Sequence, residues 1–291
     1  MDEPLTAWAQ KVQAVLPDLK IESLELNQEG LINDVVIVNR RLVVRFSKTE
    51  AYAEVLDNEA RILELIRPFL HLSVPEPVVK AAGVMVYPLL EGQPLLFEEV
   101  LELDSPSRAE LAAQLGAFLH DLHSIATAGL AMPLPRTRAR TTRQEWADFK
   151  SQVQEKIYPL LQPHQVHWIE RFFTAALEDP EFFGYTPSLI HGDLAPYHIL
   201  WSPAEMRLCG VIDFGMAGLG DPAADFGILI SLYGERFVTQ MGAAYPGLEN
   251  LLHRARFYAQ SIELEWVYRG LESGENFWFT AHLGGARDIR Q

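Results

Sequence analysis

HGDLAPYHIL (residues 191–200), followed by VIDFG (211–215), is the stretch that decides the fold and the candidate chemistry of this chain. Residues 198–212 read as a β-hairpin, with apolar strands on both sides of a polar turn. Because the two strands of a hairpin are antiparallel, His198 before the first strand and Asp213 after the second should emerge at the same end. The sequence therefore predicts that two side chains able to bind a metal ion meet there.

The same stretch suits phosphoryl transfer. That reaction needs a carboxylate to orient the attacking hydroxyl and metal ions that bridge the nucleotide phosphates. Asp193 would be the carboxylate and Asp213 a metal ligand, while His198 stands where protein kinases place their metal-binding Asn. The alternative is a core histidine and a turn-forming aspartate, the usual role of such residues taken singly. The order and spacing of all three residues favour phosphoryl transfer.

These motifs resemble the aminoglycoside phosphotransferase family, which has a protein-kinase-like fold. The family's catalytic loop usually reads HGD with an Asn five residues later. A histidine at that position, as at His198, resembles the aminoglycoside 2''-phosphotransferase and macrolide 2'-phosphotransferase branches. The resemblance implies that Asp193 is catalytic, that His198 and Asp213 hold Mg²⁺, and that ATP or GTP is the co-substrate.

Residues around the catalytic loop are expected to have architectural roles. His191 should support the loop through hydrogen bonds, and Gly192 should let the backbone turn closely. Asp225 resembles the family position that holds the loop from below. Asp221 and Pro222 should begin a helix, as N-cap and first helical residue.

Apolar periodicity predicts an α+β protein with a bilobal, protein-kinase-like fold. Extended segments dominate residues 1–90, which we expect to be a small, β-rich nucleotide-binding lobe. Residues 91–291 should form a large, mainly helical lobe with the catalytic loop and the acceptor site. The expected strands are 21–26, 34–39, 42–46, 74–79 and 83–90, and the expected helices are 51–67, 107–123, 143–160, 163–178, 222–244 and 249–272.

The N-terminal lobe should bind the nucleotide. In kinase-like folds a Lys on the third strand contacts the phosphates and pairs with a Glu on the next helix. By position this pair is Arg45 and Glu59, and Lys48 could share the task, whereas the alternative is a surface Arg and a solvated Glu. The phosphate-covering loop should lie at 27–34, where Gly30 is the only glycine.

His120 and His123 stand three residues apart in a predicted helix, so both lie on one face. A metal site there is the weaker interpretation. The segment resembles a family helix in which histidines serve packing and support of the catalytic loop.

The acceptor site should use the C-terminal helices. Residues 261–279 interleave acidic and aromatic side chains, which suits an amine-bearing sugar through charge and stacking; Glu263 and Trp266 are candidates, with Glu235 from an earlier segment. The other members are Glu265, Tyr268, Glu272, Glu275 and Trp278. An amphipathic helix with a solvated acidic face is an equal alternative, and a mostly apolar macrolide would need fewer carboxylates.

The composition indicates which classes of binding partner the chain favours. Lys and Arg number 24 against 39 Asp and Glu, a formal charge of −15, which argues against nucleic acid or an anionic membrane and permits a cationic small molecule. Cys209 is the only cysteine, so no intrachain disulfide can form. With no signal-like N-terminus and no apolar run near the ~20 residues of a membrane span, we expect a cytoplasmic protein.

Two other functions fit the sequence. A metabolic kinase of the same fold, acting on a small amino or sugar alcohol, would differ only in the acceptor pocket. A nucleotide-binding module without turnover is suggested by Arg45 and the glycine-poor loop, but the presence of Asp193, His198 and Asp213 argues against it.

Overall fold

The computed structural model describes residues 3–28, 30, 32–127, 130 and 133–274. Contacts divide them into two compact units. The first joins the described residues up to Pro94 with His198–Gly215, and the second joins Leu95–Tyr197 with the described residues from Met216 onward. By its contacts, the hairpin that carries His198 and Asp213 thus belongs with the N-terminal sheet.

Strands and helices follow in this order. The strands are β1 (Leu24–Asn27), β2 (Asn33–Val38), β3 (Leu42–Ser47), β4 (Val79–Ala81), β5 (Val84–Pro88), β6 (Gln93–Pro94), β7 (Ser188–Ile190), β8 (Ile199–Ser202), β9 (Arg207–Val211) and β10 (Gly218–Gly220). The helices are α1 (Glu3–Val15), α2 (Glu50–Ile66), α3 (Phe97–Glu102), α4 (Ser105–His123), α5 (Arg143–Lys156), α6 (Pro163–Leu177), α7 (Ala223–Tyr233), α8 (Glu235–Gln240) and α9 (Leu252–Ser273).

The first unit contains a five-stranded antiparallel sheet in the order β1-β2-β3-β5-β4. The tight turn between β2 and β3 contains Asn39 and Arg40, which have φ of 54° and 52°, and the Arg41 N–H closes it by donating to the Val38 carbonyl at 3.0 Å. The predicted strand at 74–79 is wrong: β4 begins only at Val79, after two prolines that cannot donate to a sheet ladder.

Helix α1 packs against this sheet. On α1, which the periodicity argument did not predict, Trp8 and Val12 pack with Val36, Val44 and other sheet residues in one core. Helix α2 is capped by Thr49, whose side chain accepts a hydrogen bond from the Tyr52 N–H. A second, three-stranded sheet of β6, β8 and β9 completes the unit.

The second unit is mainly helical, as expected. Helices α7 and α9 approach closely at Gly227, where an added Cβ would lie 2.4 Å from the Cβ of Tyr258. The helix predicted at 222–244 is wrong as one element, because Gly234, with φ 85°, separates α7 from α8. Strands β7 and β10 form a two-stranded sheet that leads into the catalytic loop.

None of the helices in the described part of the chain combines the length and apolar character that a membrane span requires.

Candidate active site

The hairpin brings His198 and Asp213 together, which confirms the geometric prediction. Ile199 of β8 pairs with Val211 of β9, and the Ile212 N–H donates to the His198 carbonyl at 2.9 Å. Just beyond the ladder, His198 Nε2 lies 3.6 Å from Asp213 Oδ2. Asp213 has φ 65°, a left-handed conformation that Asp tolerates better than most residues.

A buried arginine holds the other oxygen of the Asp213 carboxylate. Arg45 of β3 donates from one terminal nitrogen to Glu59 Oε1 at 2.6 Å and from the other to Asp213 Oδ1 at 3.1 Å. Glu59 of α2 also accepts the Phe214 N–H at 3.0 Å. Arg45 is 5% exposed and Glu59 1%, so the alternative of a surface Arg and a solvated Glu does not hold.

Burial and charge act against each other in this cluster. Burial disfavours the charged form of Arg45, but the Glu59 and Asp213 carboxylates together raise its pKa above the ordinary value. Burial raises the pKa of Glu59, while Arg45 opposes that shift. Within the described residues, Glu59 Oε2 has no hydrogen-bond partner, which leaves one buried acceptor beside the Arg45–Asp213 bridge.

Lys48 lies apart from this cluster. Its ammonium donates to the Gln28 carbonyl at 2.8 Å and lies 3.8 Å from the Asp34 carboxylate. Both partners belong to the segment expected to cover the phosphates, of which residues 29 and 31 lie outside the described residues. The structure therefore ties Lys48 to that segment rather than to Glu59 or Asp213.

The catalytic loop is held by Asp225 of α7, as expected. Asp225 Oδ2 accepts the His191 N–H at 2.9 Å, and Oδ1 accepts the Gly192 N–H at 2.8 Å. Gly192 has φ 80°, and His191 Nδ1 accepts the Asp193 N–H at 3.2 Å. Two backbone donors and a local side-chain bond thus fix the backbone that presents Asp193.

Asp225 is fully buried but remains an anion. Burial alone would raise its pKa, yet the hydrogen bond from His123 and the charges around it bring the pKa below the ordinary value. His123 Nε2 lies 3.1 Å from Asp225, and its Nδ1 lies 3.0 Å from the Tyr245 hydroxyl. His123 therefore supports the loop through Asp225, as the packing interpretation expected.

The helix start after the loop differs slightly from the prediction. Pro222, not Asp221, is the residue just before α7. Asp221 Oδ1 still accepts the Ala223 N–H at 3.0 Å, and the same carboxylate binds Arg254 at 2.7 Å and the Tyr258 hydroxyl at 3.0 Å. This buried link to α9 was not predicted, because a capping motif carries no information on a distant partner.

The donor set at His198 and Asp213 fits a magnesium ion. Two adjacent ligands of one octahedral Mg²⁺, each about 2.0–2.1 Å from the ion, lie about 2.9 Å apart. The two side-chain atoms are 3.6 Å apart, so they would approach each other by about 0.7 Å to share one ion. Asp213 offers the oxygen that Mg²⁺ prefers. Groups of three or more His, Cys, Asp or Glu at metal-binding distances are absent from the described residues.

The acceptor candidates lie on α8 and α9. Glu235 of α8 forms a two-point ion pair with Arg256, at 2.9 and 2.5 Å, and the Arg256 hydrogen bond lowers the pKa of Glu235. On α9, Glu263 is exposed and Trp266 is half-buried.

Several other acidic and aromatic residues of 261–279 serve the packing of the helices. Glu265 pairs with Arg140 at 2.9 Å, Glu272 pairs with Lys156, and Tyr268 packs edge-on against Phe149. Glu275 and Trp278 lie outside the described residues. The packing of α9 thus accounts for about half of the segment's acidic and aromatic pattern.

Comparison with known proteins places the chain in a family. The model of the phosphotransferase enzyme family matches residues 23–258. Viomycin phosphotransferase from Streptomyces vinaceus is 30% identical over 220 residues, which cover 72% of this chain and 74% of that protein.

Solved structures show the same fold. The GDP and kanamycin complex of APH(2'')-IIIa superposes with a TM-score of 0.84 at 25% identity, covering 96% of each chain. Macrolide 2'-phosphotransferase type I gives a TM-score of 0.71 at 24% identity, over 97% of this chain and 96% of that one. The predicted kinase-like α+β fold is therefore confirmed, and the chain belongs to the phosphotransferase enzyme family.

Proposed function

We propose that this enzyme transfers the γ-phosphate of ATP or GTP to a hydroxyl of a small antibiotic. The observation that carries the proposal is the buried Arg45 bridge to Asp213, with His198 beside the second oxygen of the same carboxylate. This arrangement places a carboxylate oxygen and an imidazole nitrogen 3.6 Å apart, where both could bind a metal–nucleotide complex. A merely structural ion pair would not require the adjacent histidine.

Each functional residue then has a role. His198 and Asp213 would hold Mg²⁺, which when bound neutralises charge on the β- and γ-phosphates. Asp193 orients the acceptor hydroxyl and accepts its proton as the new bond forms. Arg45 and Lys48 contribute positive charge for the nucleotide, with Arg45 fixed by Glu59. The lobe expected at residues 1–90 would bind the nucleotide together with the hairpin His198–Gly215, and the rest of 91–291 would carry the acceptor site.

An amine-bearing antibiotic is the favoured acceptor. Aminoglycosides remain the first candidates because a structural neighbour at 25% identity is a complex with kanamycin and GDP, and because the chain's charge of −15 favours cationic ligands. Exposed Glu263 and half-buried Trp266 could contact such a ligand, and Glu235 could do so on leaving Arg256.

Viomycin is a second candidate acceptor. The observation that favours it is the 30% identity to viomycin phosphotransferase over most of both chains. Macrolides rank lower, since the macrolide enzyme at 24% identity supports the fold alone.

The test is nucleotide turnover by the purified protein with Mg²⁺, using ATP and GTP in parallel. The acceptor panel is kanamycin, gentamicin, viomycin, a macrolide and small amino alcohols. Acceptor-dependent turnover that Asp193→Ala abolishes, with nucleotide binding retained, supports the proposal and identifies the acceptor class. Turnover with amino alcohols alone would replace the antibiotic by a metabolic acceptor, and nucleotide binding without turnover on any acceptor would contradict catalysis.

A further inference from the structure

Residues 135–139, which we call the strap, lie against the catalytic loop although no sequence motif marks them. The Thr137 N–H donates to the Leu219 carbonyl of β10 at 3.1 Å, and the Arg138 N–H donates to the Met216 carbonyl at 3.2 Å. Strand β10 pairs in turn with β7, the strand that runs into the catalytic loop. The strap thus extends the small sheet that positions Asp193.

A threonine closes the bend of the strap around Arg138. Thr137 Oγ1 donates to the Met216 carbonyl at 2.8 Å and accepts the Ala139 N–H at 3.1 Å. Thr137 is 5% exposed, and a Cβ added to Gly192 would lie 2.9 Å from both Thr137 Oγ1 and the Met216 carbonyl. The backbone of Arg138 is therefore fixed close to the residue that precedes Asp193.

Arg138 differs from the neighbouring arginines. Arg136 contacts Glu145 at 3.4 Å, Arg140 pairs with Glu265 at 2.9 Å, and Arg143 donates to the Asp179 carbonyl at 2.6 Å. The side chain of Arg138 is exposed and has no hydrogen-bond or ion-pair partner in the described ranges. A guanidinium on an anchored bend, with its donors available, suits a planar anion such as a phosphoryl group.

Phosphoryl transfer needs positive charge at the transferring group, since charge spreads over its three equatorial oxygens. In the structure, Arg45 donates to two carboxylates and Lys48 is bound to Gln28 and Asp34. We propose that Arg138 binds the transferring phosphoryl group beside Asp193 and stabilises its charge in the transition state. This inference rests on the proposed phosphotransferase function.

The transfer is a direct displacement at the γ-phosphorus. The acceptor oxygen forms a bond to the γ-phosphorus as the bond between that phosphorus and the β–γ bridging oxygen breaks. The bridging oxygen leaves with the electron pair on the nucleoside diphosphate, and the hydroxyl proton passes to the Asp193 carboxylate. Arg138 donates hydrogen bonds to the equatorial oxygens and exchanges no proton.

Arg138→Gln, Arg138→Lys and the control Arg171→Gln form the test set. Arg171 is exposed on α6, so its substitution makes the same charge change away from the strap. Removing one well-placed donor to a transition state lowers kcat by about 10²–10³-fold. We expect that fall for Arg138→Gln, with the KM for nucleotide and acceptor little changed, partial recovery for Arg138→Lys, and wild-type kcat for Arg171→Gln.

A binding measurement gives a second readout that does not depend on turnover. Nucleoside diphosphate with Mg²⁺ and aluminium fluoride mimics the planar phosphoryl group, and the wild type should bind it more tightly than diphosphate alone. In Arg138→Gln, the ratio of the affinity for this complex to the affinity for diphosphate alone should be at least tenfold smaller than in the wild type. The affinity for diphosphate itself should not change. Thr137→Val, which keeps the side-chain shape but not the hydroxyl, should lose part of the gain, and Thr137→Ser should retain it.

Three results would overturn the assignment to Arg138: an Arg138→Gln kcat within about threefold of wild type, an equal loss in Arg171→Gln, or a rise in acceptor KM at unchanged kcat. The first two would show no specific role, and the third would make Arg138 an acceptor contact. If the wild type transfers phosphate and Arg138→Gln does so equally well, only the role of Arg138 is rejected. If the wild type neither binds nor turns over nucleotide, the proposed function is rejected as well.

Discussion

Replacing Asp225 with Asn tests how the catalytic loop is held. The amide can keep its oxygen toward His191 and His123, but its nitrogen then faces the Gly192 N–H, which loses its acceptor. Loss of one bond to a charged acceptor costs about 1.5–3 kcal/mol, and removal of the buried charge beside His123 adds to it. We therefore expect Asp225→Asn to lower the free energy of unfolding by about 3 kcal/mol.

Thermal unfolding at neutral pH measures this loss. A change of about 3 kcal/mol corresponds to a fall in Tm of roughly 5–10 °C for a chain of this size. The matched control is Asp18→Asn, the same chemical change at an exposed site, which should leave Tm unchanged. If Asp225→Asn and Asp18→Asn had the same Tm within about 1 °C, the reasoning on the loop would be refuted.

The pH dependence of the same pair of proteins gives an independent check. The folded-state pKa of Asp225 is lowered, so its contribution to stability is fully present above the unfolded value of about 3.9 and is lost as pH falls through the folded pKa. The stability difference between wild type and Asp225→Asn should accordingly be constant near neutrality and shrink below about pH 4. A difference that grows on acidification would contradict the sign of the shift.

Substitutions at three further positions have defined outcomes. Arg45→Lys cannot reproduce the two-armed bridge to Glu59 and Asp213, so a Mg²⁺ titration of activity should show half-saturation at several-fold higher metal, and an unchanged midpoint would contradict the bridge. Gly192→Ala places a Cβ at a residue with φ 80°, within 2.9 Å of two oxygens. We expect the free energy of unfolding to fall by at least about 1–2 kcal/mol and kcat to fall strongly. Wild-type values of both would refute the close approach. His198→Asn should retain activity within about tenfold while His198→Ala loses at least 10²-fold, as expected of a metal ligand, and equal activities would argue against metal binding by His198.

The sequence predicted the parts of the site that depend on local backbone geometry. The meeting of His198 and Asp213 follows from antiparallel pairing across a short turn, so motif spacing alone predicted it. The support of the loop by Asp225 was expected through resemblance. The bridge from Arg45 to Asp213 could not be read from spacing, because it joins residues 168 positions apart.

The errors have identifiable physical causes. The break at Gly234 was missed because apolar periodicity continues on both sides of it, although the glycine itself was a signal. Helix α1 contributes only a narrow apolar stripe, in which Trp8 and Val12 are spaced by four residues. The strap that carries Arg138 is held by backbone groups and one threonine hydroxyl, which leave no periodic pattern in the sequence.

The most direct test of the central claim is phosphate transfer itself, measured as formation of phosphorylated acceptor by wild type, Asp193→Ala and Asp193→Asn with Mg²⁺ and ATP or GTP. We expect a phosphorylated amine-bearing antibiotic with the wild type and at least a 10²-fold lower rate with both variants, while all three proteins bind nucleotide equally. Equal rates for wild type and variants, or no phosphorylated acceptor from a wild type that binds nucleotide, would contradict it.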